Sequence, residues 1–297
     1  MTLPKEIRDS ELFKFVKYKS FERQIKFEYL LEDLIDIKGS TKYSHFDKWL
    51  KITIDKGSSH YLPIHYHELL HAKLNLLGYP QITYYSRYNL HPTVSLILEN
   101  LQNSVHHIYV YKEMKKLGIN QSVIDDEYFS TIGDTIRSIK VKEGQIDGAT
   151  PFNLLEAHLR DPIRTKEIVN TLDISYEKQI SLFDSLINLI NRVKPSNPHK
   201  MRNLICKILN EIQSYLGYAN NELNNFIMVH PGFEERLLNK KAINVVYGEN
   251  IHGYPHVFIK DKLNKQCIFT LSNNGNFISE NDIRPILEEN TLKTIIG

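Results

Sequence analysis

Apolar positions recur along this chain in two periods, and the changes between them predict its elements. From residue 11 to 38, Phe27, Leu30, Leu31, Leu34 and Ile35 fall on one helical face that ends at Gly39-Ser40. Leu50-Lys51-Ile52-Thr53-Ile54-Asp55 then alternates strictly, which predicts a strand with Leu50, Ile52 and Ile54 facing inward. Lys56-Gly57-Ser58-Ser59 turns the chain. Pro63 suits a first helical turn, Ile64, Leu70, Leu74 and Leu77 continue near helical spacing, and Gly78 with Pro80 stops the helix. Ile82-Thr83-Tyr84-Tyr85 reads as a short strand. A long helix opens at Pro92 and closes at Gly118, with Val94, Leu98, Leu101, Val105 and Ile108 as its main apolar stripe. Its other side carries Leu96, Glu99, Asn103, His106, Val110 and Leu117, which predicts burial on two sides and a polar pocket around Glu99, Asn103 and His106.

Successive helices follow up to about residue 240. Ile124, Tyr128, Ile132, Ile136 and Ile139 mark one, and Pro151 opens the next. Tyr176, Ile180, Phe183, Ile187 and Ile190 mark a longer one stopped at Pro195, and Met201 to Tyr215 another stopped at Gly217. From about 242 the period becomes that of strands, in Val245-Val246-Tyr247, His256 to Ile259 and Cys267 to Leu271, with Gly and Pro between them. This predicts a small antiparallel meander and then a last helix near 280 to 290 capped by Ser279 and Asp282. The fold class is therefore α+β and predominantly helical, in three parts: 1–118, a helical region 119–241, and a β-rich C-terminal part 242–297. No internal repeat or low-complexity linker is visible.

The composition is that of a globular protein, with 41% hydrophobic and 24% charged residues in 297. A formal net charge of +2 is too near zero to make nucleic acid or a membrane surface an obligate partner. The start, Met1 to Asp9, lacks the apolar core of a signal peptide, and no run of about 18 apolar residues follows. The expected location is the cytoplasm. Cys206 and Cys267 match no metal or redox spacing and read as small buried residues.

One stretch changes the picture. His67, Glu68 and His71 spell HExxH inside the helix that Pro63 opens. Positions i and i+4 stack on one helical face, so the two imidazoles can hold one ion while Glu68 leans toward a metal-bound water. The motif resembles that of the zincin superfamily of zinc-dependent peptidases, over residues 49 to 107. The longer metzincin signature fails, because Leu74 and Leu77 stand where it needs Gly and His.

That resemblance implies a zincin-like core in residues 1–118: a short sheet, the HExxH helix and a second, ligand-bearing helix. It implies Zn²⁺ held by His67, His71 and a third residue further on. Glu99, 28 residues after His71, lies within the range used by the gluzincin branch, whose glutamate ligand sits on a second helix. Asn103 stands where that branch often has an acid that orients a ligand histidine. His106 competes as ligand because zinc favours imidazole, and His91, His107 or another acid stay open. The implied activity is hydrolysis of a peptide bond in a protein or peptide, with Glu68 as general base and His106, His107 or a tyrosine stabilising the oxyanion. A strand preceding the motif helix fits recognition of an extended substrate by strand addition. Two alternatives remain: a zinc hydrolase of a non-peptide substrate, and a non-catalytic interaction module. His158 and His199 have no partner at ligand spacing, and Gly253 and Pro255 forbid a helical His252–His256 pair.

Overall fold

The structure, a computed structural model, describes residues 3–35, 37–44, 47–59, 61–85, 92–139, 147–218, 222–230, 232–272 and 278–296. The chain begins with α1 (Lys5–Arg8) and α2 (Glu11–Glu22), the latter capped by Ser10, whose hydroxyl accepts from the Phe13 N–H. Three strands follow: β1 (Lys26–Glu32), β2 (Gly39–Ser44) and β3 (Trp49–Asp55). They form a sheet in the order β1-β3-β2, with β1 parallel and β2 antiparallel to the central β3. Leu50, Ile52 and Ile54 are fully buried, as alternation in a central strand requires.

The helix expected over Phe27 to Ile35 is instead β1. Phe27, Tyr29 and Leu31 pair with Leu50, Ile52 and Ile54, so they share a sheet face with them. Gln24 in the left-handed region, at φ 55°, turns the chain into the strand. Run lengths this short satisfy both periods, and the deciding partner lies some twenty residues away in sequence.

The motif helix is α3 (Leu62–Leu76). It ends as its sequence predicts, with Gly78 at φ +78° and paired bonds from Gly78 N–H to the Asn75 carbonyl and from Tyr79 N–H to the Leu74 carbonyl. Ile64, Leu69, Ala72 and Leu76 pack into the sheet's apolar cluster, whereas Leu70 and Leu74 belong to the large helical cluster. A helix in that position is buried on two sides. Next come β4 (Gln81–Tyr84), α4 (Pro92–Lys116), α5 (Ser122–Ser138), α6 (Thr150–Arg160), α7 (Pro162–Asn170), α8 (Glu177–Val193) and α9 (Pro198–Leu216). The large cluster draws on α3 to α6, α8 and α9, so it crosses residue 118 without a break.

After α10 (Glu222–Phe226), β5 (Ile227–His230) pairs antiparallel with β4. The short α11 (Glu235–Leu238) leads to the meander β6 (Val246–Asn250), β7 (Val257–Asp261) and β8 (Cys267–Leu271). Then α12 (Glu280–Glu289), opened by a capping box of Ser279 and Asp282, and α13 (Leu292–Ile296) pack on that sheet in a cluster of their own. The whole is mixed α+β, about 60% helical. Among the described residues no helix is long and apolar enough to cross a membrane. Cys206 and Cys267 are free thiols, both buried.

Candidate metal centre

α3 and α4 pack face to face, and their histidines meet at the contact. His71 Nε2 lies 3.1 Å from His67 Nε2 and 3.1 Å from His107 Nε2. Four-coordinate zinc with nitrogens at about 2.0–2.1 Å sets neighbouring ligand nitrogens about 3.3–3.4 Å apart, close to this spacing. Among the described residues, these three are the one group of His, Cys, Asp or Glu side chains that could hold a metal ion. A donor set of three imidazoles suits zinc and other borderline divalent ions, and leaves a tetrahedral position open.

The electrostatics favour the ligand form of these side chains. Burial, and then the neighbouring imidazoles, hold His67 and His71 well below the usual histidine range, so both are neutral at pH 7. His107 is oriented from behind. Its Nδ1 lies 2.6 Å from Glu156 Oε2 on α6. Burial pushes the Glu156 carboxyl up, but His107, Arg160 and Tyr111 outweigh it and bring it down to about 2. An ionised Glu156 draws the imidazole proton to Nδ1, which leaves the His107 Nε2 lone pair facing the other two rings.

Glu156 is itself held in a network. Arg160 Nε reaches Glu156 Oε1 at 3.1 Å and Arg160 Nη1 reaches Asp125 Oδ1 of α5 at 2.8 Å. The Tyr111 hydroxyl donates to Glu156 Oε1, and the Arg160 guanidinium lies over the Tyr111 and Tyr128 rings at 4.8 and 4.6 Å. Two carboxylates against one guanidinium leave the surroundings of His107 net negative, which favours a cation there.

Glu68 stands beside the cluster, 7% exposed, under the edge strand β2. The Thr41 Oγ1 of β2 is 2.7 Å from Glu68 Oε2 and 2.9 Å from the Glu68 main-chain carbonyl. Burial raises the Glu68 carboxyl to about 7, against the lowering effects of the Thr41 hydrogen bond and His107. A carboxyl poised there exchanges protons readily near neutral pH.

The structure brings His67, Glu68 and His71 together as the motif predicts, but it does not bring Glu99 to them. Glu99 is exposed, about 12 Å along α4 from His107 and roughly 80° round the helix. With Gln102 and Asn103 it lines a groove beside Ile82, Thr83 and Tyr84 of β4. The polar pocket expected between layers is therefore open on that side. His106 is buried and its ring centre lies 5.7 Å from that of His71, yet its Nε2 turns away, 2.7 Å from Gln102 Nε2 and 3.3 Å from the Pro80 carbonyl. Gln102 Oε1 also accepts from the Ile82 N–H at 2.7 Å, so His106 belongs to the link between α4 and β4. His91 lies outside the described residues. His256 bonds the Tyr85 hydroxyl and His199 lies beside Asn203 and Glu234, away from the cluster.

Glu156, Arg160 and Thr41 stand at the site without any local sequence signal that marks them. The His106-His107 doublet carries a signal, since consecutive helical residues point about 100° apart and only one can share the face of Glu99. Nothing in the spacing connects residue 107 with 156. Compared with known proteins, the chain matches no family model, no curated protein and no solved structure.

Proposed function

We propose that the protein is a zinc-dependent peptidase in which His67, His71 and His107 hold the ion and Glu68 is the general base. The observation that carries this reading is the convergence of three imidazole Nε2 atoms beside a buried carboxyl, with one coordination position left over. Zinc, when bound, supplies Lewis-acid polarisation of the scissile carbonyl and acidifies the attacking water.

The remaining steps belong to the chain. Glu68 takes a proton as water attacks and passes it to the leaving amine, a two-way transfer that suits a carboxyl raised to about 7. Glu156 keeps the His107 lone pair facing inward. His106, expected as a second catalytic group, serves in this proposal as packing beside His71, because Gln102 and Pro80 engage its Nε2.

The same proposal makes the first sheet, α3 and α4 a zincin-like core. Support comes from β2, an antiparallel edge strand lying against the motif helix. An extended protein or peptide substrate adding to that edge gains main-chain hydrogen bonds without demanding a particular sequence. The test pairs metal analysis with the substitution Glu68→Gln. We expect about one zinc per chain in both proteins, and hydrolysis of unstructured peptides lowered by roughly 10²-fold or more in the variant. Protein purified without zinc that also fails to take it up would reject the reading outright, and metal with no hydrolysis would favour a binding role.

A further inference from the structure

We infer that Gly39 and Thr41 are positioning residues for Glu68, tying its carboxyl to the open edge of β2 so that a peptide main chain paired there is registered against the base; this rests on the peptidase reading above. Two contacts define the grip. The Thr41 hydroxyl reaches both the carboxyl and the main-chain carbonyl of Glu68, at 2.7 and 2.9 Å. Gly39 makes the room: a Cβ built there would lie 2.9 Å from Glu68 Cγ and 3.0 Å from Oε1. The first is shorter than real Cβ contacts and the second tighter than nearly all of them, so a side chain at position 39 would push the Glu68 side chain aside.

The register of β2 adds the second half. The Asp55 N–H donates to the Lys38 carbonyl at 2.9 Å, and Gly39 and Thr41 lie opposite Ile54 and Ile52. In an antiparallel pair, hydrogen-bonded and non-bonded positions alternate, so Lys38, Ser40 and Lys42 exchange bonds with β3. Gly39 and Thr41 then direct their own N–H and C=O groups to the other edge, which no described strand covers. The residues whose backbone faces that edge are the residues whose side-chain positions hold Glu68. A substrate strand sliding by one residue along β2 would meet Ser40 or Lys42, whose backbone groups are already paired. Only every second register brings a peptide carbonyl into phase with the base.

The test uses the full chain loaded with cobalt(II), whose visible bands respond to what occupies and hydrogen-bonds the open position, alongside cleavage of a quenched fluorescent peptide drawn from a random library. Thr41→Ser keeps the hydroxyl and should keep the wild-type spectrum and kcat. Thr41→Val keeps the shape but not the donor; it should retain the metal, shift the cobalt bands in the sense seen for Glu68→Gln, and lower kcat roughly tenfold with KM within about twofold. Gly39→Ala, which displaces the carboxyl by crowding, should show the same shift and loss. Spectra and kcat unchanged in both Thr41→Val and Gly39→Ala would overturn the inference, as would equal losses in Thr41→Ser and Thr41→Val. Metal-loaded wild type that cleaves no peptide defeats the peptidase reading instead, and the cobalt comparison then decides the Thr41 contact alone; a Glu68→Gln protein that cleaves as well as wild type removes Glu68 as the base and overturns the inference with it.

Discussion

Three imidazoles and one ionised carboxylate behind them make Glu156 the residue on which the proposed metal centre leans. Glu156→Gln preserves its shape but removes the charge that holds the His107 proton on Nδ1, so zinc affinity should fall about 10- to 100-fold, as competition with a chelator would measure. His107→Ala should lose the metal on dialysis, and Glu99→Ala, on an exposed turn, should keep it. Equal retention in those two variants would displace His107 from the ligand set. Acid offers a third measurement. Burial brings His106 down to about 4, and His67 and His71 are lowered with it, from an unfolded value of about 6.5. The unfolded chain therefore takes up these protons first, so their contribution is complete above about 6.5 and is lost as pH falls toward 4. Glu68, raised to about 7, favours the fold below about 4.3 and loses that preference as pH rises to 7, but it is one group against three. Urea titrations of metal-free protein should thus show lower stability at pH 5 than at pH 7, and the reverse order would contradict the burial of these rings.

At the scale of elements, α3 is the hinge between two apolar clusters, and its end depends on a left-handed residue. Gly78→Ala meets no atom within 4 Å, so any cost comes from the backbone at φ +78° and not from crowding. That cost should be about 1–2 kcal/mol in chemical denaturation. The edge strand β2 carries the complementary lesson. It contributes little apolar burial of its own, yet its Thr41 holds the Glu68 carboxyl, and it is an edge strand of the sheet among the described residues. An ion held by His67, His71 and His107, as proposed, would bridge α3 and α4, so chelation should lower the melting temperature by an amount that grows with the logarithm of the ion's affinity. An unchanged melting curve after complete chelation would mean the ion is not bound by both helices.

Across the whole molecule, the β-rich end is bound to the helical body through a buried ion pair. Arg202 of α9 reaches Asp261 of β7 at 2.8 Å, with side chains 2% and 8% exposed. Arg202 Nε and Nη2 have no hydrogen-bond partner among the described residues, and the guanidinium lies over the Phe233 ring at 4.6 Å. Asp261→Ala would strand the charge and should cost about 3–5 kcal/mol, whereas replacing both partners by apolar residues of similar volume should cost far less. Deleting the chain from Ala242 strands the same charge and exposes Tyr85 and Phe226, which pack against Phe258 and Cys267. Such a truncation should be poorly soluble even though every proposed ligand lies before residue 110.

Much of this was legible in the residues alone, because the signals are local. HExxH within a helix bounded by Pro63 and Gly78, the alternation of β3, the extent of α4, the meander after 242 and the Ser279 cap each depend on neighbours within a few positions. What depended on distant partners was not legible. Phe27 to Leu31 became a strand because β3 offered a parallel neighbour, an attraction no local period records. The choice of His107 over Glu99 followed from the level at which α4 crosses α3, since two turns along a helix move a side chain by about 11 Å. Glu156 and Thr41 reach the site from α6 and β2, elements whose approach is set by the packing of separate apolar faces. Sequence determined which residues can carry the chemistry, because helical stacking is a property of spacing; the tertiary structure decided which of them meet, because meeting is a property of packing.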